Sequence, residues 1–117
     1  MPFIKTTSTD FWVDDVNSNF YNSWQIGSTN NQWNSAEKLL RTKDILYDYA
    51  MVINYNINPI IPGKGSAIFM HIWRGKYTGT AGCTAMPKKT MLKIMKWLNP
   101  NKNPIIIEGP ISEVLKY

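Results

Sequence analysis

Between residues 67 and 98 three kinds of pattern follow one another, and they constrain the fold more than any other stretch. Ala67 to Trp73 alternates, so Phe69, His71 and Trp73 share one face of a strand while Ile68, Met70 and Ile72 share the other. Arg74 to Gly82 holds three glycines without any period, which predicts a loop. Pro87 to Leu98 then repeats every 3.6 residues. Proline suits the first turn, Met91, Ile94, Met95 and Leu98 form a stripe for burial, Lys89, Lys93 and Lys96 point outward, and Asn99-Pro100 stops the helix. Strand, loop and helix in that order predict an α+β chain with a strong β component.

The flanking sequence adds shorter elements. Phe11 to Asp15 reads as a short hydrophobic segment entering polar turns at Asn17-Ser18-Asn19. Asn34 to Leu40 predicts a short helix, with Asn34 as cap, Glu37 in the capping-box position and Leu39-Leu40 for contact. Ala50 to Tyr55 predicts a strand, Asn56 to Gly65 a loop, and Ile105 to Ile107, after Pro104, a last strand. No repeat or linker divides the chain, so residues 1–117 are expected to form one domain.

Several classes drop out on simple grounds. The chain has one Cys and one His, which exclude an intramolecular disulfide and a Cys/His zinc site. Its apolar runs, such as Ile68-Phe69-Met70, are far too short to span a membrane. Charge is uneven: residues 1–58 carry net −2 and residues 59–117 net +7. Such a basic half suits either a solvated lysine face or an anionic partner.

Four groups of residues invite a chemical reading. Pro62-Gly63-Lys64-Gly65-Ser66 fails the phosphate-loop pattern, because position 58 is Asn and Gly65 follows the lysine. It reads as a turn feeding a strand. Asp14-Asp15 would point to opposite faces of an extended segment, so turn or cap roles fit better than shared acid/base work. The basic half interleaves with Trp73, Tyr77, Trp97 and Tyr117 as single-strand nucleic-acid binders do. Trp97, however, lies near the helix stripe, where core packing is expected, and no nucleic-acid partner is assigned. The fourth group is His71, on a strand, with Cys83, which follows a glycine and precedes a helix. An imidazole or a helix N-terminus beside a thiol favours the nucleophilic thiolate. Gly82 frees the backbone to turn, so that N–H groups can face a tetrahedral oxyanion. From spacing alone, a structural Cys and His are the commoner reading, and catalysis is the alternative.

Residues Gly63 to His71, followed by Thr80-Ala81-Gly82-Cys83-Thr84-Ala85-Met86-Pro87, resemble the catalytic motif of L,D-transpeptidases, the YkuD-like domains. Trp12 to Asp15 with Asn17-Ser18 and Tyr21-Asn22, and Tyr47 to Tyr49 leading into Val52 to Asn56, resemble segments of one branch of that family. The similarity runs from about Phe11 to Ile107. The resemblance implies a β-sandwich-like fold of mixed sheets with small helices. It makes Cys83 the nucleophile, His71 the general base, Gly82 with the Cys83 backbone the oxyanion turn, and Thr80 the Ser/Thr of the motif. It implies acyl transfer on peptidoglycan stem peptides through a thioester, no metal or cofactor, reactivity toward carbapenems, and a place outside the cytoplasm, in the periplasm or cell wall.

The chain departs from the family pattern in three ways. Ala81 stands where many members have a second His, and Ala85 where they often have Arg or Asn. Nothing matches the G-D-G-x-T-P-x-G-like segment that usually precedes the Trp-Val-Asp-Asp region, and no leader peptide is evident. These last two features predict a chain that lacks part of a sheet and exposes an edge. They leave a non-catalytic remnant or a peptidoglycan-binding module as an alternative. An L,D-carboxypeptidase or another cysteine hydrolase is also open.

Overall fold

The computed structural model describes residues 2–27 and 32–117. Among these residues, six short strands build two sheets. β1 (Asp10–Val13) lies between β2 (Trp24–Ile26) and β3 (Ala36–Lys38), antiparallel to both. In the second sheet β5 (Phe69–Ile72) is central. It is antiparallel to β4 (Ala50–Val52) and parallel to β6 (Thr84–Met86). Helix α1 (Lys88–Trp97) follows β6 directly, and a 3-10 turn at Pro100–Lys102 and the short α2 (Ile111–Val114) end the chain. The architecture is mostly β with few short helices, the α+β class that the sequence pattern predicts.

All four residues of β5 are buried, as expected of a strand covered on both faces. Trp12 from the first sheet meets Phe69 of the second edge-to-face, ring centroids 5.3 Å apart. Leu39 joins them, and Trp24, Tyr47, Ala67 and Cys83 pack around this cluster. The two sheets are also tied by one buried polar residue. The Asn22 amide oxygen accepts from Trp12 Nε1 (2.9 Å) and from the Ala67 N–H (3.2 Å). Its nitrogen donates to the carbonyls of Tyr55 (3.1 Å) and Asn56 (2.7 Å). Every hydrogen-bonding position of this amide is thereby used, which is what makes its burial affordable. Ser66 Oγ adds a bond to the Val13 carbonyl (2.9 Å).

Helix α1 follows its periodicity. Met91 is fully buried against the sheet, Ile94, Met95 and Leu98 are half-buried, and Lys89, Lys93 and Lys96 are exposed. Pro87 sits at the N-cap, and the Leu98 N–H bonds back to the Ile94 carbonyl. The Pro62–Ser66 segment is a turn, and Gly65 (φ +115°) is required there. A Cβ at that position would fall 2.9 Å from the Tyr55 ring.

Four expectations are corrected. Asn34 to Leu40 does not form a helix; its centre is β3, with Glu37 opposite Trp12 of β1. Pairing along the whole of β1 outweighs a local helix signal only seven residues long. Asp15 also draws the segment into an extended path, since its carboxylate accepts the Asn34 N–H at 2.8 Å. Ile105 to Ile107 forms no strand, because no strand among the described residues pairs with it. Trp97 is 79% exposed rather than packed in the core, since it lies on the helix face away from Met91. The strand expected from Ala50 to Tyr55 ends at Val52, where the chain turns toward Asn56 in the left-handed region (φ 54°).

Candidate active site

The parallel pairing of β5 with β6 places the two halves of the motif side by side. His71 lies opposite Ala85, and Met70 opposite Thr84, so Cys83 enters β6 beside Phe69. His71 and Cys83 both line one cavity of about 370 Å³. Thr80, Ala81 and Ala85 contribute to its wall, together with Glu37, Arg41, Tyr47 and Arg74. The two alanines are the positions at which the chain departs from the family pattern, and here they leave space.

The imidazole is buried, and its Nδ1 lies 2.7 Å from the Ile72 carbonyl oxygen. A carbonyl can only accept, so a neutral ring carries its proton on Nδ1 and keeps the Nε2 lone pair open. The Cys83 thiol is half-buried and donates to the Ala67 carbonyl (3.4 Å). Burial raises the thiol pKa above its usual value; the Phe69 N–H counteracts this, and the Glu37 charge adds to it. Burial thus favours the thiol over the thiolate. No hydrogen bond joins it to His71.

The turn before Cys83 is built by Thr80. Its hydroxyl donates to the Cys83 carbonyl (2.6 Å) and accepts from the Gly82 N–H (3.3 Å). Gly82 adopts φ +137°, a conformation that side chains rarely take. Its N–H is thus engaged, whereas the Cys83 N–H has no partner among the described residues. Of the two, the Cys83 amide is the one available to an oxyanion.

Tyr47 was legible only as part of a family segment, and Glu37 only as a capping residue; both turn out to border the pair. The Tyr47 hydroxyl donates to Glu37 Oε1 (2.8 Å), and its ring lies edge-on to His71 with centroids 5.4 Å apart. Arg41 donates to Glu37 Oε1 (3.2 Å) and grips Asp44 through Nε (2.8 Å) and Nη2 (2.6 Å). Asp15 takes the expected turn role, accepting from the Asn17 and Asn34 N–H groups, whereas Asp14 accepts from Ser35 Oγ and lines the cavity with His71 and Cys83. Among the described residues, no group of three or more His, Cys, Asp or Glu is placed to hold a metal ion.

The family model for the L,D-transpeptidase catalytic domain, YkuD, matches residues 4–107. The chain belongs to this family. Among curated proteins and among solved structures, nothing matches the chain. YkuD domains are generally L,D-transpeptidase enzymes that act on peptidoglycan peptides, and they are typically extracytoplasmic. No helix among the described residues is long and apolar enough to cross a membrane.

Proposed function

We propose that this YkuD domain is a peptidoglycan L,D-transpeptidase that works by cysteine acyl transfer, with residues 1–117 acting as one catalytic domain outside the cytoplasm. The observation that carries the reading is the shared cavity: the only thiol and the only imidazole of the chain meet there, the imidazole with Nε2 free. His71 Nε2 takes the Cys83 proton as the sulfur attacks the carbonyl carbon between an L-centre and a terminal D-residue. The Cys83 N–H stabilises the oxyanion, and Gly82 and Thr80 hold that turn. As the C–N bond breaks, the imidazolium returns its proton to the departing D-amino acid, leaving a thioester. An amine from a neighbouring stem peptide then attacks, giving up a proton to His71, and the sulfur leaves and is reprotonated. Water in place of the amine makes the outcome a carboxypeptidase reaction. Because a thiol is a far poorer nucleophile than a thiolate, a base that takes its proton assists each turnover. No step calls for a metal or cofactor.

Intact-mass measurement after exposure to a carbapenem tests this. One adduct at Cys83 is expected, absent in Cys83→Ala and formed about a hundred-fold more slowly in His71→Ala. A folded wild-type protein that gains no mass would overturn the reading. It would favour instead a non-catalytic peptidoglycan-binding module, which the half-buried, carbonyl-bonded thiol supports.

A further inference from the structure

We infer that Tyr47, anchored by Glu37 and Arg41, is a positioning residue that sets the orientation and tautomer of the His71 imidazole. The inference rests on the acyl-transfer reading only in taking His71 as the base.

Tyr47 is fixed from every side. Its hydroxyl is bound to Glu37 at 2.8 Å, the Arg41 guanidinium lies 5.1 Å from its ring centroid, and its ring meets Phe69 edge-on at 5.7 Å. It also meets His71, at 5.4 Å and 68° between planes. The anchors are themselves fixed. Asp44 takes two hydrogen bonds from Arg41 and a third from the Leu46 N–H (3.1 Å), so the guanidinium and the backbone leading into Tyr47 are locked together. Burial and the Glu37 carboxylate push the tyrosine pKa well above its ordinary value, so the hydroxyl remains a donor across the neutral range.

The imidazole needs such a wall. Among the described residues its one side-chain hydrogen bond is from Nδ1 to the neighbouring residue's carbonyl. A half-turn of the ring about its bond to Cβ would put Cδ2 where Nδ1 sits and Cε1 where Nε2 sits, breaking that bond and leaving the tautomer unspecified. The Tyr47 ring stands against that rotation on the cavity side. A misplacement of about 1 Å at a base costs on the order of a hundred-fold in rate, so a rigid neighbour has a measurable effect. The Tyr47 hydroxyl donates to Glu37, so it is not offered to the sulfur as a proton donor.

Because the chain has one His and one Cys, both groups can be observed without ambiguity. Nitrogen-15 NMR of the His71 ring, and the pH profile of Cys83 alkylation by iodoacetamide, would be recorded for wild type, Tyr47→Phe and Tyr47→Leu. The wild type is expected to show a single Nδ1–H tautomer. Tyr47→Leu should show a mixture, a shifted alkylation profile and acylation by carbapenem slowed about tenfold. Tyr47→Phe, which keeps the ring, should restore the single tautomer and bring the rate to within about threefold of wild type. A folded Tyr47→Leu with an unchanged spectrum and profile would overturn the inference. If Tyr47→Leu does not fold, Arg41→Met takes its place; a partial loss of the single tautomer is then expected, and an unchanged spectrum overturns. Neither readout uses an acyl donor. A wild type that forms no carbapenem adduct would therefore overturn the acyl-transfer reading while these measurements still decide the role of Tyr47.

Discussion

Residues 10–86 and residues 99–117 of this chain are held by different kinds of bond. In the first region the contacts join positions far apart in sequence: Asn22 to Ala67, Ser66 to Val13, Trp12 to Phe69, Glu37 to Tyr47. In the second they are almost all local. The Asn99 side chain accepts from Asn101, Lys116 pairs with Glu113, and backbone bonds close single turns. Its one hydrogen bond to the rest of the described chain joins Glu108 to the Thr84 hydroxyl. Ile105 (86% exposed), Ile111 and Leu115 stand in solvent despite their apolar side chains. A site needs groups held to fractions of an ångström, and only the first region has the cross-links that can supply this. His71 and Cys83 accordingly lie within it.

The sharpest way to break this contrast is to remove the residue that links the sheets. Asn22→Leu keeps the bulk but leaves the Trp12 indole N–H, the Ala67 N–H and two carbonyls unpaired in the interior. Each such group costs about 1–3 kcal/mol, and leucine also fits the local φ of 55° poorly. A loss of at least about 3 kcal/mol in urea unfolding is expected. Carbapenem acylation should fall with it, because the Ala67 carbonyl that meets the Cys83 sulfur is positioned by Asn22. Stability within about 1 kcal/mol of wild type would mean that the aromatic cluster alone holds the sheets together.

Asn22 also shows what the sequence conceals. As an asparagine between Tyr21 and Ser23 it carries only a turn signal, and nothing local says that its amide will be buried. Helix α1 and strand β5 are legible because each is specified by its own periodicity, so the element survives whatever surrounds it. The meeting of His71 and Cys83 in one cavity is legible only in part: a strand, a loop and a Gly-Cys turn lie within a short stretch, but β6 and its parallel pairing with β5 carry no sequence signal of their own. β3 is misread as a helix because its conformation is imposed by β1, 23 residues or more away along the chain. Glu37 and Tyr47 are missed as site residues on the same account, since their meeting depends on that pairing. Ile105 to Ile107 errs in the opposite direction: the residues suit a strand, but a strand requires a neighbour.

A smaller effect follows from acid. The Arg41 guanidinium holds the Asp44 carboxyl down at about 2, below its ordinary value of 3.8. The Thr7 N–H and the Trp24 indole lower that of Asp10, and the Asn34 and Asn17 N–H groups lower that of Asp15. A carboxyl with a depressed folded-state pKa binds its proton more readily in the unfolded chain. Its contribution is complete above the unfolded value and is lost as pH falls through the folded one. The urea midpoint should therefore hold steady down to about pH 5 and decline from about pH 4 to pH 2. Asp44→Asn should flatten the decline and leave the Arg41–Tyr47 contact weaker. All three acids belong to residues 10–86, so acid should loosen the site region while the tail's local bonds contribute little. A midpoint that is flat to pH 2 would show that these hydrogen bonds form equally well in the unfolded chain.

The smallest effect belongs to the tail, and it is the most discriminating. Ile105→Ser and Ile111→Ser replace side chains that are 86% and 78% exposed, so each should shift stability by no more than about 0.5 kcal/mol. Hydrogen exchange on the wild type gives the same contrast without mutation. The Leu39 N–H, bonded to the Asp10 carbonyl, and the Ile72 N–H, bonded to the Leu46 carbonyl, lie in the cross-linked region and should exchange slowly. The Leu115 and Tyr117 amides close single turns in solvent and should exchange close to the rate of an unstructured peptide. If the tail amides were instead protected like those of the sheets, the apolar side chains of residues 105–117 would have to be covered in solution. Protection that grew with protein concentration would identify the cover as a second copy of the chain. Protection independent of concentration would place it on the chain itself, and the division between a cross-linked region and a locally bonded tail would no longer hold.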